Sequence, residues 1–96
     1  MTLLSARFLG RRIYARFRAC DDSRKNLTII ERDSKPGVLS YTRRFTTLVP
    51  PRPCGVYTRS WIPAPRFRHG RYTMSMWARD KSGASSNVVR KTFVRR

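Results

Sequence analysis

"GRYTMSMWARDKSG", residues 70–83, decides how the chain reads. Tyr72, Met74, Met76 and Ala78 fall on one side, and Thr73, Ser75 and Trp77 fall on the other. A period of two marks a half-buried β-strand, whose successive side chains point to opposite faces of a sheet. Asp80 and Gly83 then supply turn chemistry, Asp by bonding local backbone and Gly by accepting a positive φ. The stretch predicts a strand running into a hairpin turn.

Working outward, the same alternation recurs. "IYARFRA" (13–19) places Ile13, Ala15, Phe17 and Ala19 on one face and Tyr14, Arg16 and Arg18 on the other, and Asp21, Asp22 and Ser23 end it. "LTIIERD" (27–33) is rich in β-branched residues. It stops at Pro36-Gly37, a strong turn signal. In "LSYTRRFTTL" (39–48), Leu39, Tyr41 and Phe45 share a face with Arg43. An edge strand accommodates that arginine by letting it snorkel to water. The prolines of "VPPRPCG" (49–55) remove backbone donors, which predicts a crossing loop that carries Cys54. "VYTRSWI" (56–62), Tyr72–Arg79, Val88–Val94 and a short segment near residues 4–9 complete a set of about seven strands. No segment shows sustained helical periodicity. The pattern predicts an all-β antiparallel sandwich, one domain over residues 1–96, with Phe17, Ile29, Trp61, Tyr72, Met74, Met76 and Phe93 in its core.

With 96 residues, 40% of them apolar and 28% charged, the chain has a globular composition and length for one core. No apolar run approaches the roughly 20 residues that span a bilayer. "MTLLSARFLGRR" lacks the layout of a signal peptide, so a secreted reading requires the chain to be a piece or module of something longer, or its start codon to be misplaced. The net charge of +17 predicts attraction to nucleic acid, anionic lipid or an acidic cell-envelope polymer. The basic residues run no longer than pairs, such as Arg11-Arg12 and Arg43-Arg44, so no basic arm stands out. The excess of Arg over Lys fits bidentate phosphate recognition. It fits codon usage equally well.

Cys20 and Cys54 have no CxxC spacing, and His69 is the single histidine, so a zinc site has too few ligands. An even pair in a small β-rich chain predicts one disulfide, which would stabilise the fold by roughly 3–4 kcal/mol on the chain-entropy argument. Two buried thiols in a reducing compartment are the alternative.

The inventory for catalysis is thin. Ser60, His69 and Asp80 are the types of a hydrolytic triad, but no nucleophile-elbow motif supports them, and His69 reads as a loop residue. Asp21-Asp22 lacks a calcium-loop pattern, and "NLT" (26–28) is a short match to a glycosylation acceptor. The reading assigns no catalytic residue, cofactor or metal. Binding has better candidates: Trp77 lies opposite Met76 in phase, among Arg71 and Arg79, where it could stack on a sugar or base. It could equally pack against a neighbouring domain or the stems of arginines.

The Gly-x-Tyr start, the Ala-x-Asp-x-x-Gly turn and the final Thr-Phe match at Gly70, Tyr72, Met74, Met76, Ala78, Asp80, Gly83, Thr92 and Phe93. This pattern resembles the last two strands of immunoglobulin-like and fibronectin type III-like modules of bacterial secreted or surface proteins. Trp61 ends the strand before them, and the match covers residues 56–95. The resemblance implies a tyrosine corner, in which the Tyr72 hydroxyl bonds loop backbone and its loss in Tyr72→Phe costs roughly 1 kcal/mol. Met74 and Met76 stand where the family usually has Val or Ile, so the core should be softer. Cys20 is out of phase with the inward face of its strand, so a Cys20–Cys54 bond should lie near one end of the sandwich, unlike the antibody pin.

The resemblance implies a non-catalytic extracellular module, structural or adhesive, acting as a spacer or as a weak polyanion- or glycan-binding domain. Its partners would be neighbouring domains and anionic envelope polymer, with Arg16, Arg18, Arg44, Trp77 and Arg79 as contacts and Tyr72, Trp61 and Gly83 as structural residues. The competing reading is a basic nucleic-acid-binding protein such as a ribosomal component. No RNP, GXXG or helix-turn-helix reading element is present for it.

Overall fold

The computed structural model describes residues 1–20, 27–46, 54–80 and 82–95. Seven strands follow in order: β1 (Thr2–Leu9), β2 (Arg12–Cys20), β3 (Thr28–Lys35), β4 (Val38–Thr46), β5 (Cys54–Trp61), β6 (Gly70–Arg79) and β7 (Val89–Arg95). They build two antiparallel sheets, β1-β2-β5 and β4-β3-β6-β7. A 3-10 turn at Pro65–Phe67 carries the chain between β5 and β6. The inward faces of both sheets meet in one core containing Ile13, Ala15, Phe17, Ile29, Trp61, Tyr72, Met74, Met76 and Phe93. All seven core residues expected from the alternation are buried.

The turns obey their chemistry. β1 and β2 join through Gly10 at φ 64°, and β3 and β4 through Pro36 and Gly37, the latter at φ 72°. After β6, Asp80 Oδ1 accepts hydrogen bonds from the Ser82 and Ala84 amides at 2.9 and 3.0 Å, and Gly83 sits at φ 92°. Both turn residues of the opening stretch perform the roles their chemistry predicts.

Cys20 and Cys54 stand opposite each other in register as the last residue of β2 and the first of β5, joined by a disulfide. Cys54 therefore belongs to a strand and not to the crossing loop, because pairing with β2 extends β5 to the bond. The bond closes a loop of 34 residues that contains all of β3 and β4. It lies at one end of the three-stranded sheet. Gly55 likewise belongs to β5, and residues 49–53 of the crossing loop, the Asp21-Asp22 pair and Asn26 lie outside the described residues.

Three expectations need correction. First, Arg43 does not snorkel to water. It points into the sandwich, where its guanidinium meets Glu31 Oε1 at 2.5 Å and Asp33 Oδ2 at 3.0 Å, and both carboxyls are fully buried. Second, Leu39 is 79% exposed rather than inward, because the β3–β4 register shifts between Asp33 and Lys35. Lys35 pairs Val38 while Asp33 pairs Tyr41, which leaves Leu39 and Ser40 against Ser34 alone, a β-bulge on β4. Third, Tyr72 packs between Phe67 and Phe93, with ring centroids 5.3 and 5.5 Å away, but its buried hydroxyl has no hydrogen-bond partner. The tyrosine-corner bond is not made, since that hydroxyl lies in the core near the Asp33 and Glu31 carboxyls.

Candidate functional site

Strand pairing fixes where each candidate contact residue points. Arg44 pairs Ile30, Ile30 pairs Trp77, and Thr28 pairs Arg79, all on the outer face of the four-stranded sheet. Arg44 and Trp77 are two strands apart, roughly 10 Å at the usual inter-strand spacing. Arg32 lies with its guanidinium 5.7 Å from the Trp77 ring, so the cation over this indole is Arg32 rather than Arg71 or Arg79. Ile30, only 4% exposed on this outward side, is sealed beneath the Arg and Trp side chains around it.

Arg16 and Arg18 lie elsewhere. They project from β2 on the outer face of the three-stranded sheet, with Arg16 opposite Ser5 and Thr58 and Arg18 opposite Thr2 and Val56. Arg7 opposes Tyr14 on the same face. The five contact candidates therefore form two groups on opposite sides of the sandwich. The fold does not bring them into one site.

The anions explain the electrostatics. Among the described residues the carboxylates are Glu31, Asp33 and Asp80. Two are buried beside Arg43, and the third is engaged by the β6–β7 turn, whose Ser82 hydroxyl and backbone amides hold its pKa below the ordinary carboxylate value. Neither outer face carries an acid among the described residues. The guanidinium groups of Arg16, Arg18, Arg44 and Arg79 accordingly have no ion-pair partner among them.

Inside the sandwich, Glu31 is the perturbed group. Burial first, and then its hydrogen-bonding contact with Asp33, push its pKa up to about 9 against the pull of Arg43. Glu31 Oε2 and Asp33 Oδ1 are both buried without a donor. Protonating Glu31 gives this cluster a donor that two ionised carboxylates lack. A neutral Glu31 also leaves Arg43 facing one negative charge instead of two. Sequence reading missed this cluster, although Ile29, Glu31 and Asp33 share one phase of β3.

Other arginines serve the sheet edges. Arg66 donates to the Leu39 and Ser40 carbonyls at 2.6 and 3.1 Å, holding the bulge that brings Arg43 opposite Glu31. On the far edge, Lys91 donates to the Ala6 carbonyl at 2.6 Å and Arg95 to the Gly10 carbonyl at 3.2 Å. Occupying edge carbonyls in this way blocks pairing with another chain.

The triad types are kept apart. His69 precedes β6 and Asp80 follows it, so a ten-residue strand separates them by roughly 30 Å. Ser60 is bonded by Arg12 at 3.1 Å instead. Trp61 is buried with Phe45 at 5.6 Å and the Arg43 guanidinium 5.5 Å from its ring.

One further feature was not legible beforehand. At the end of the sandwich away from the disulfide, a cleft of about 260 Å³ is lined by Arg11, Ile62, Pro63, Arg68, His69 and Arg95.

These features define a small, strongly cationic all-β sandwich with a cross-strand disulfide. No protein-family model, curated protein or solved structure matches the chain. Among the described residues, no helix is long and apolar enough to cross a membrane.

Proposed function

We propose that the chain is a non-catalytic, extracellular immunoglobulin-like module, structural or adhesive, that binds anionic envelope polymer or glycan weakly through its outer faces. The observation that carries this reading is the placement of the acids: every described carboxylate is buried or engaged in a turn, while unpaired arginines line both faces. Sheets of three and four antiparallel strands support the immunoglobulin-like part, since sandwiches of this kind have about seven strands over about 100 residues. The disulfide supports an oxidising compartment. Opposed basic faces suit a spacer that touches polymer on two sides.

Titration against a teichoic-acid-like polymer, a random DNA duplex and a structured RNA over a salt series tests the reading. Comparable weak binding to all three, falling steeply with salt as counterion release requires, is expected. Arg16→Ala, Arg18→Ala, Arg44→Ala and Arg79→Ala should each lower affinity modestly. A salt-resistant preference for the RNA would overturn it in favour of the nucleic-acid-binding reading.

A further inference from the structure

We infer that the cleft at the end of the sandwich is a binding site for a phosphate monoester. The inference rests on the polyanion reading only for the sign of the charge; its location and selectivity are separate claims. Three arginines and a histidine line it from three places in the chain: the β1–β2 turn (Arg11), the connection into β6 (Arg68 and His69) and the end of β7 (Arg95). No acidic side chain lines it.

The walls are held in place before any ligand arrives. Pro63 and Phe67 are buried, Phe67 against Tyr72, so the segment bearing Arg68 is anchored in the core. Lys35 donates to the His69 carbonyl at 2.6 Å and Arg66 bonds two carbonyls of β4, which ties the same segment to the four-stranded sheet. Arg95 stacks on Phe8 with its guanidinium 3.7 Å from the ring centroid, and its bond to the Gly10 carbonyl ties β7 to the turn that carries Arg11. Among the described residues the guanidiniums of Arg11 and Arg68 have no ion-pair partner. Arg95, already held in place, loses less freedom on binding than the outer-face arginines do.

Charge and size choose the ligand. A carboxylate satisfies one guanidinium fork and leaves two cations unanswered, whereas a phosphate monoester presents three terminal oxygens and nearly two negative charges. A phosphodiester offers two such oxygens and a single charge. At about 260 Å³ the cleft is smaller than the pockets that enclose drug-sized molecules, so it takes a head group whose remainder stays outside. Ile62 and Pro63 give that remainder an apolar lip.

The test uses the oxidised full-length chain, isotope-labelled, with amide and guanidinium NMR shifts followed at constant ionic strength. Inorganic phosphate, glucose 6-phosphate, dimethyl phosphate and acetate are the soluble probes. Vesicles containing phosphatidic acid, compared with phosphatidylglycerol vesicles, ask whether the monoester comes on a lipid. Saturable shifts confined to Arg11, Arg68, His69, Gly70 and Arg95, in the order monoester over diester over acetate, are expected. Arg11→Ala and Arg68→Ala should each weaken phosphate binding about tenfold, the loss typical of one charge-assisted contact. Arg68→Lys, which keeps the charge and loses the fork, should also weaken it. Tighter binding of glucose 6-phosphate or of phosphatidic acid vesicles, each sensitive to Arg68→Ala, supports the site and identifies its source. Non-saturating shifts spread over all arginines, or phosphate binding unchanged in both alanine variants with folded spectra, overturn it. Arg16→Ala and Arg18→Ala distinguish the two readings, since the face reading fails if they leave polymer binding unaltered, whatever the cleft does.

Discussion

Raising the pH should destabilise this protein across a range where most small proteins change little. Glu31 is fully buried, and its pKa in the folded chain is pushed up to about 9 from an ordinary value of 4.5. Between those values the folded state holds a proton that the unfolded state has released. Unfolding free energy therefore falls as pH rises, fastest midway, and the contribution is fully present below about 4.5 and lost as pH passes 9. The slope is bounded at about 1.4 kcal/mol per pH unit. From pH 5 to pH 8 the loss is then at most about 4 kcal/mol, the pull of Arg43 on the ionised form being already contained in the raised value. Denaturant melts at unit pH steps measure it. Glu31→Gln keeps the shape, cannot ionise, and should flatten the profile while leaving the protein more stable than the parent at pH 8. Arg43→Met should lose about 3–5 kcal/mol near neutrality, because two buried carboxyls then have no cation. Parallel profiles for the parent and Glu31→Gln, or parent stability that climbs with pH, would refute the account.

Two further outcomes follow from the packing. Tyr72→Phe should be neutral or stabilising by up to about 1 kcal/mol in a thermal melt, since the hydroxyl it removes is buried without a partner; a clear destabilisation would show that the hydroxyl is bonded after all. Reducing the Cys20–Cys54 bond should lower stability by roughly 3–4 kcal/mol on the chain-entropy argument, with the far-UV spectrum unchanged below the melt.

The strands were legible because alternation survives wherever one face is buried and the other is wet. Ile13 to Ala19 and Tyr72 to Ala78 show this, and the turns at Pro36-Gly37 and Asp80 to Gly83 punctuate it. The ion cluster was not legible because its register depends on one extra residue. Counting back from the Pro36-Gly37 turn without a bulge sets Glu31 against Thr42 and turns Arg43 outward. The bulge at Leu39–Ser40 moves the pairing by one, so Glu31 meets Arg43 and the whole inward set of β4 changes face. The signal was present in part, since Arg43 sits in phase with Tyr41 and Phe45, and Glu31 and Asp33 with Ile29. Opposite charges in the inward phases of two consecutive strands point to a buried pair. The end cleft was illegible for another reason: Arg11, Arg68 and Arg95 are far apart in sequence and line one cleft only when a turn, a connection and a strand end come together.

The buried carboxyls and the basic surface are parts of the same arrangement. Each carboxylate taken inward is one fewer anion to neutralise an outer face, and with Glu31 neutral the core needs only Arg43 to balance it. Arg66 makes this possible from outside the cluster by holding the bulge that sets the β4 register. Among the described residues, Arg12 and Arg32 bond hydroxyls and Arg66 and Arg95 bond carbonyls, while Arg16, Arg18, Arg44 and Arg79 have no ion-pair partner; repulsion among exposed charges is screened by salt within about 10 Å. On the proposed function, stability and anion binding fall to different arginines. Glu31→Gln should change the pH dependence of unfolding without altering polymer affinity, because it removes no charge that the outer faces present. Arg16→Ala and Arg18→Ala should do the reverse, because neither side chain touches the core.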